Sequence, residues 1–261
     1  MRYRLLLSYR GNAYYGWQRQ PSGPTVQGAV EGALADLLGE PVTVHGASRT
    51  DTGVHARGQA AHLDLPAPFP RRGMVHGTNR RLPPDIRVLA ADRMRPDFHA
   101  LRSAGGKEYV YRLWRHPVIP PLEAPFMVPV HEAIDRRALQ RAAAALVGRH
   151  DFTAFALAGG SHRHPSRHIR SAEWEEDGRE IRFRVRGDGF LRGMVRSLVG
   201  TMIDIGLRRR TTADFRRLLT GRPRGEAGPT APARGLCLER VLYPPEWGPV
   251  NRGEERGDVV V

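Results

Sequence analysis

The chain has 261 residues, 40% of them hydrophobic, which allows one large domain or two of ordinary size with a real core. Lys and Arg outnumber Asp and Glu by 41 to 27, a formal net charge of +14, which favours a polyanionic partner, nucleic acid first. One cysteine, Cys237, excludes an internal disulfide and fits a reducing cytoplasm; no stretch approaches the roughly twenty apolar residues of a membrane span, and the apolar run near the N-terminus is too short for a signal-peptide core.

Residues 2–9 read as a strand ended by Gly11 and Asn12. Residues 25–39 read as a helix: Val26, Ala29, Ala33 and Leu37 recur at helical spacing, Thr25 can cap and Gly39 can stop it. Strands are expected over 41–45, 59–65 and 86–94, with a weaker helix over 72–82 before Pro83-Pro84. The resulting β-α-β-β-α-β order is that of a ferredoxin-like unit. A second unit of similar order follows a boundary expected near Ser103–Gly106. It has a strand at 107–116, a proline-rich extended connection at 117–129 and a helix at 135–148 capped by Asp135. Strands at 168–176 and 180–187 are joined by a turn at Asp177-Gly178. Helices at 190–206 and 211–221, the latter capped by Thr212, and a strand at 235–243 complete it. The division is 1–104, 105–245 and a mobile tail at 246–261.

The stretch GASRTDTGVHARG, residues 46–58, lies between two expected strands and is longer than a hairpin needs. Gly46, Gly53 and Gly58 allow tight bends. If 49–51 is extended, Arg49 and Asp51 point the same way, and a cation there favours an ionised carboxylate suited to a nucleophile or general base. The competing interpretation is an Arg–Asp pair that only holds the turn. Arg192 and Arg196 lie at i and i+4 on one expected helix, either as a phosphate or carboxylate clamp or as a solvated face. Tyr109 and Tyr111 on a basic strand suit base stacking or a core, and YYGWQRQ (14–20) shares that ambiguity. His162, His164 and His168 sit among Arg163, Arg167 and Arg170, which oppose a metal cation and favour an RNA-touching loop. No P-loop, dinucleotide, metalloprotease or serine-hydrolase motif is present.

SRTDTGVHARGQ resembles the catalytic motif of TruA-type tRNA pseudouridine synthases. YYGWQRQ with TVQG, RLPPDI, DFHA, KEYVYR, DFTAF, FLRGMVRSLVG and PTAPARGLCL match that family in the same order, over about residues 3–245. The resemblance implies an α+β fold: two ferredoxin-like, RRM-like halves whose antiparallel sheets join around a basic catalytic cleft. It implies a cytoplasmic homodimer that isomerises uridine to pseudouridine at tRNA positions 38, 39 and 40, without metal or cofactor. Asp51 matches the essential aspartate, Arg49 an arginine that assists base flipping, Tyr109 the tyrosine against the target uracil and Arg196 the arginine paired with the aspartate. Leu236 matches the pocket lining. Phe98, His99, Arg102, Arg163, His164 and Arg167 lie in segments that touch tRNA in the family. Ser48 stands where the family often has Gly, and Leu101 where a common F-H-A-R run has its arginine, with Arg102 next to it. In a strand, that shift would turn the side chain to the other face. Two further readings are a non-catalytic RNA-binding module using the same charge and a hydrolase pairing Asp51 with His55.

Overall fold

The computed structural model describes residues 1–130, 133–160 and 164–250. It is a mixed α+β structure that divides into two compact units, Met1–Gly105 together with the chain from Leu238, and Gly106–Cys237.

The first unit is built on strands β1 (Arg2–Tyr9), β2 (His45–Gly46), β3 (His55–Asp64) and β4 (Ile86–Met94), with helices α1 (Val26–Leu38) and α2 (Arg71–Asn79). The strand order is β4-β1-β3, with β2 on β3; the pairings β1–β3, β1–β4 and β2–β3 are antiparallel. In β1 the period-two pattern buries Tyr3, Leu5, Leu7 and Tyr9. Thr25 caps α1 by accepting from Gly28 N–H at 3.2 Å, and Gly39 ends it at φ 78°.

The strand expected at 41–45 is almost absent. Val44 N–H donates to the Glu31 carboxylate at 2.9 Å, and Val44 C=O accepts from Gln27 Nε2 at 3.1 Å. Side chains of α1 thus take the two backbone groups a strand neighbour would use, and pairing is confined to His45–Gly46. β3 instead begins four residues earlier than expected, at His55.

The second unit contains β5 (Gly106–Trp114), β6 (Val128–Pro129), β7 (Gly148–Asp151), β8 (Ser166–Asp177) and β9 (Glu180–Gly187), with helices α3 (Arg136–Ala144), α4 (Met194–Gly206) and α5 (Thr212–Leu218). The order is β5-β9-β8-β7, with β6 parallel to β5. Tyr109, Tyr111 and Leu113 face the core opposite Val185, Phe183 and Ile181. The other face carries an ion-pair grid in which Arg184 joins Glu108 and Glu175, and Glu180 takes Arg112 and Arg182. The final strand, β10 (Leu236–Leu242), lies next to β3, and a Cβ at Gly58 would stand 2.4 Å from Glu239 O.

Several expected boundaries move. α4 starts at Met194, not Phe190, because Gly193 takes left-handed backbone at φ 67° against Leu157. α5 is capped by Thr211 rather than Thr212, in a capping box with Asp214. Asp177 pairs with Glu180, so the hairpin turn is Gly178–Arg179. β7 is polar, GRHD, and carried no periodic signal. The connection 117–129 includes a 3-10 turn, Ala124–Phe126, and β6. Residues 246–250, expected in a mobile tail, are folded: Trp247 meets the Phe98 ring at 5.8 Å and Val250 N–H donates to Arg93 O at 3.1 Å. Residues 251–261 lie outside the described residues.

Candidate active site

The segment 47–54 joins β2 to β3, and its backbone is fixed from several sides. Ala47 N–H donates to Ala60 O at 2.8 Å. Next, the fully buried Gln59 amide grips the Ser48 peptide at two points: Nε2 donates to Ser48 O at 2.7 Å and Oε1 accepts from Ser48 N–H at 3.1 Å. Thr50 is buried, its hydroxyl 2.8 Å from Tyr9 Oη, and its carbonyl accepts from Trp17 N–H at 3.1 Å. Val54 N–H then closes a turn onto Asp51 O at 3.1 Å, with Gly53 at φ 79° where a type II turn needs positive φ.

The N-terminal segment forms the other wall. Gly11 lies so close that a Cβ would stand 2.0 Å from Val54 O, and Gly11 N–H donates to His55 Nδ1 at 3.1 Å. These contacts force the alternation seen in burial: Arg49 exposed, Thr50 inward, Asp51 half-buried. Thr50 is buried while Arg49 and Asp51 on either side of it keep exposed surface, a burial order that agrees with an extended 49–51. His55, the partner that a hydrolase would need, is 4% exposed and its Nδ1 is engaged by the Gly11 peptide.

In the second unit, Tyr109 is nearly buried and meets the Phe190 ring edge-on at 5.1 Å. Arg196 lies in the first turn of α4, half-buried; its Nε donates to Ala231 O at 2.8 Å, and Ala231 N–H returns a bond to Arg196 O at 3.1 Å. The helix can approach this strap because Gly200 has no side chain: a Cβ there would stand 1.8 Å from Pro229 O. Tyr111 Oη donates to Pro232 O at 2.8 Å, and burial pushes its phenol above the ordinary range. The same strap leads into Leu236, buried at the start of β10. Arg192 does not share a helix with Arg196: it precedes Gly193 and donates to Ala158 O at 3.0 Å.

The residues expected near tRNA fall into different environments. Phe98 has no exposed surface and packs on Tyr243 and Trp247, so its part is to fill the core rather than to touch RNA. His99 is half-buried, its Nδ1 accepting from Leu101 and Arg102 N–H at 3.2 and 3.3 Å. Leu101 and Arg102 lie in a turn closed by Ser103 N–H to His99 O at 2.8 Å, and both are exposed. The strand argument for a reversed side chain therefore does not apply, and Arg102 is open to solvent beside Leu101. His164 is exposed and Arg167 half-buried, whereas Arg163 and His162 lie outside the described residues.

Sequence reading missed the supports of the loop: Tyr9, Trp17 and above all Gln59. The signal for Gln59 was a polar residue opening the apolar run QAAHLDL. It also missed a stack of His45, His62 and His99, with ring centroids 4.9 Å apart for the first pair and 4.6 Å for His62–His99. His62 Nδ1 accepts from Ala100 N–H at 3.2 Å, and burial, reinforced by His99, Arg2 and His45, pushes its pKa down to about 4. Among the described residues no group of three or more His, Cys, Asp or Glu is placed to hold a metal ion, and no helix is long and apolar enough to cross a membrane.

Residues 142–244 match a family model described as tRNA pseudouridine synthase. The chain is 44% identical over 243 residues to tRNA pseudouridine synthase A of Syntrophotalea carbinolica, covering 93% of this chain and 96% of that protein. It is 43% identical to the enzyme of that name from Myxococcus xanthus, with 93% and 92% covered, and 44% identical to that of Moorella thermoacetica, with 92% and 98% covered.

Proposed function

The chain belongs to the tRNA pseudouridine synthase A family, isomerases that convert uridine in tRNA, and on that footing we propose that Asp51 carries the reaction, on uridines 38, 39 and 40 of the anticodon arm. The observation that carries this reading is the pinned 47–54 loop, with Arg49 and Asp51 on its open face.

The reaction breaks C1′–N1, rotates the uracil and joins C5 to C1′; N1 gains a proton and C5 loses one, so no external oxidant or group donor enters. The base must first leave the stack, at a cost of a few kcal/mol. Asp51 serves as nucleophile or base, Arg49 occupies the space of the flipped base, Tyr109 backs the freed uracil, Arg196 is the partner of the aspartate and Leu236 lines the pocket. His99, Arg102, Arg163, His164 and Arg167 contact the tRNA body. In this reading the protein acts in the cytoplasm as a homodimer.

Two ferredoxin-like halves are part of the same proposal. Its support in the first unit is the β-α-β-β-α-β sequence of elements with β1 between β4 and β3, and β3 paired to β2, all antiparallel.

The test is tritium release from C5-labelled uridine in an anticodon-arm RNA. Wild type releases tritium and Asp51→Asn does not, while both bind the RNA and melt at similar temperatures. Equal release by both would remove Asp51 from the mechanism. Binding without release by wild type would favour an RNA-binding role for this chain.

A further inference from the structure

Among 41 basic residues the chain keeps a single lysine, Lys107. It is the second residue of β5 and is 8% exposed. Strand alternation puts it on the face of Tyr109, two residues on. Its cross-strand neighbour is Gly187 of β9, which has no side chain to cover it. Among the described residues its ammonium makes no hydrogen bond and no ion pair.

A second cation shares that face: Gly187 pairs in turn with Ile169 of β8, and Arg167 stands two residues before Ile169 at the start of that strand. Arg167 is half-buried, passes 3.5 Å from where a Gly189 Cβ would stand, and donates through Nη1 to His164 O and Ser166 O, both at 2.7 Å. The carboxylate nearest in effect is Asp188, which is exposed, accepts from His168 N–H at 3.1 Å and forms no ion pair with Arg167 among the described residues. Burial, then the Arg167 charge, pushes the Lys107 ammonium down to about 8, and burial lowers Arg167 as well.

A buried ammonium and a half-buried guanidinium, with no ion pair to either among the described residues, are unfavourable in the free protein. A bound anion would reverse both effects. Lysine suits this place because its ammonium is a compact point charge, whereas a guanidinium needs room for a planar fork.

We propose that Lys107 and Arg167 form a seat for one phosphate of the substrate RNA, the phosphate adjoining the nucleotide whose base Tyr109 receives. The proposal rests on the reading of the site given above. It assigns the chain's one lysine to the RNA backbone and leaves recognition of the base to Tyr109.

The single lysine makes the test direct. Full-length protein labelled with carbon-13 at lysine Cε gives one lysine resonance, titrating near 8 in the free protein. Saturating anticodon-arm RNA should shift it and raise its midpoint by at least about one pH unit, since a bound anion favours the charged form. Lys107→Met should melt at the same or a higher temperature, because a buried charge is removed. It should nevertheless bind the RNA about tenfold more weakly, with the salt slope reduced by about one. A resonance unmoved by saturating RNA, or a Lys107→Met protein with unchanged affinity and slope, overturns the seat. Tritium release measured on the same wild-type preparation separates the two levels: release with an unmoved resonance refutes the phosphate seat alone. Absence of release refutes the reading beneath it, and inorganic phosphate then decides for the seat by moving the resonance or against it by leaving it in place.

Discussion

Gln59 offers the sharpest test of how the Asp51 loop is positioned. Its amide is fully buried and holds both polar groups of the Ser48 peptide, at 2.7 and 3.1 Å, three residues before Asp51. Gln59→Leu is close in size and removes both bonds, together with a longer one from Nε2 to Tyr9 Oη at 3.4 Å. Each of the two orphaned buried backbone groups costs about 1–3 kcal/mol, and relief from burying the amide offsets about 1, so a net loss centred on about 3 kcal/mol is expected. For a chain of this size that is a fall in melting temperature of about 5–10 °C. Activity should fall further than stability explains, because a displacement of about 1 Å at a reacting group costs about a hundredfold. The assay is tritium release at a temperature where the variant is fully folded, with kcat and KM separated; the loss should appear in kcat. Asn79→Leu is the matched control. Asn79 grips the Val88 peptide by the same two bonds, both 2.8 Å, at the β1–β4 register shift. Asn79 is only half-buried, so this variant should lose less stability, with kcat unchanged. If both variants lose the same activity, or if Gln59→Leu loses stability with full kcat, the grip on Ser48 does not position the Asp51 carboxylate for the proposed reaction.

Arg208 is the only non-glycine residue with positive φ among the described residues, at 61°. It follows α4 in a Schellman arrangement, with Arg208 N–H donating to Ile205 O and Arg209 N–H to Asp204 O, and its contact with Asp135 is an exposed 3.9 Å pair of little weight. Arg208→Gly should therefore stabilise by about 1 kcal/mol, read as a rise of about 2–4 °C in melting temperature. His62 predicts a pH dependence. Its folded pKa, about 4, lies below its unfolded value, so the unfolded chain binds the extra proton. The contribution is intact above the unfolded value of about 6.5 and is lost as pH falls towards 4, by up to about 3 kcal/mol. Denaturant titrations of wild type and His62→Asn, whose Oδ1 can still accept from Ala100 N–H, should diverge over that interval; parallel curves would refute it.

Where local chemistry decides an element, the sequence was readable. Thr25 and Gly39 bound α1, Asp135 caps α3, and alternation marks β1 and β9. Reading failed where side chains distant in sequence overrule propensity. PVTVH has the composition of a strand, but Glu31 and Gln27 reach across to occupy Val44. The four residues of β7 have no period of their own and are a strand because β8 offers them a free edge. At the candidate site simple alternation matches the burial order of Arg49, Thr50 and Asp51. Arg192 was grouped with Arg196 only because Gly193 was read as a helical residue; its left-handed φ separates them.

The supports of the site follow a physical rule that could have been applied earlier. A primary amide presents a donor and an acceptor at the spacing of a peptide's own groups, so it can replace a missing strand neighbour. Gln59 does this for Ser48, Asn79 for Val88, and Gln27 with Glu31 together for Val44. In each case the chain leaves regular pairing at a buried position, and its N–H and C=O would otherwise be unmet. An amide that reaches a buried peptide next to an interrupted strand therefore marks where backbone is held in a shape that pairing alone would not give. In this chain one such place carries Asp51, and its irregularity is what allows a carboxylate to be fixed on an open face while Thr50, next to it, stays in the core.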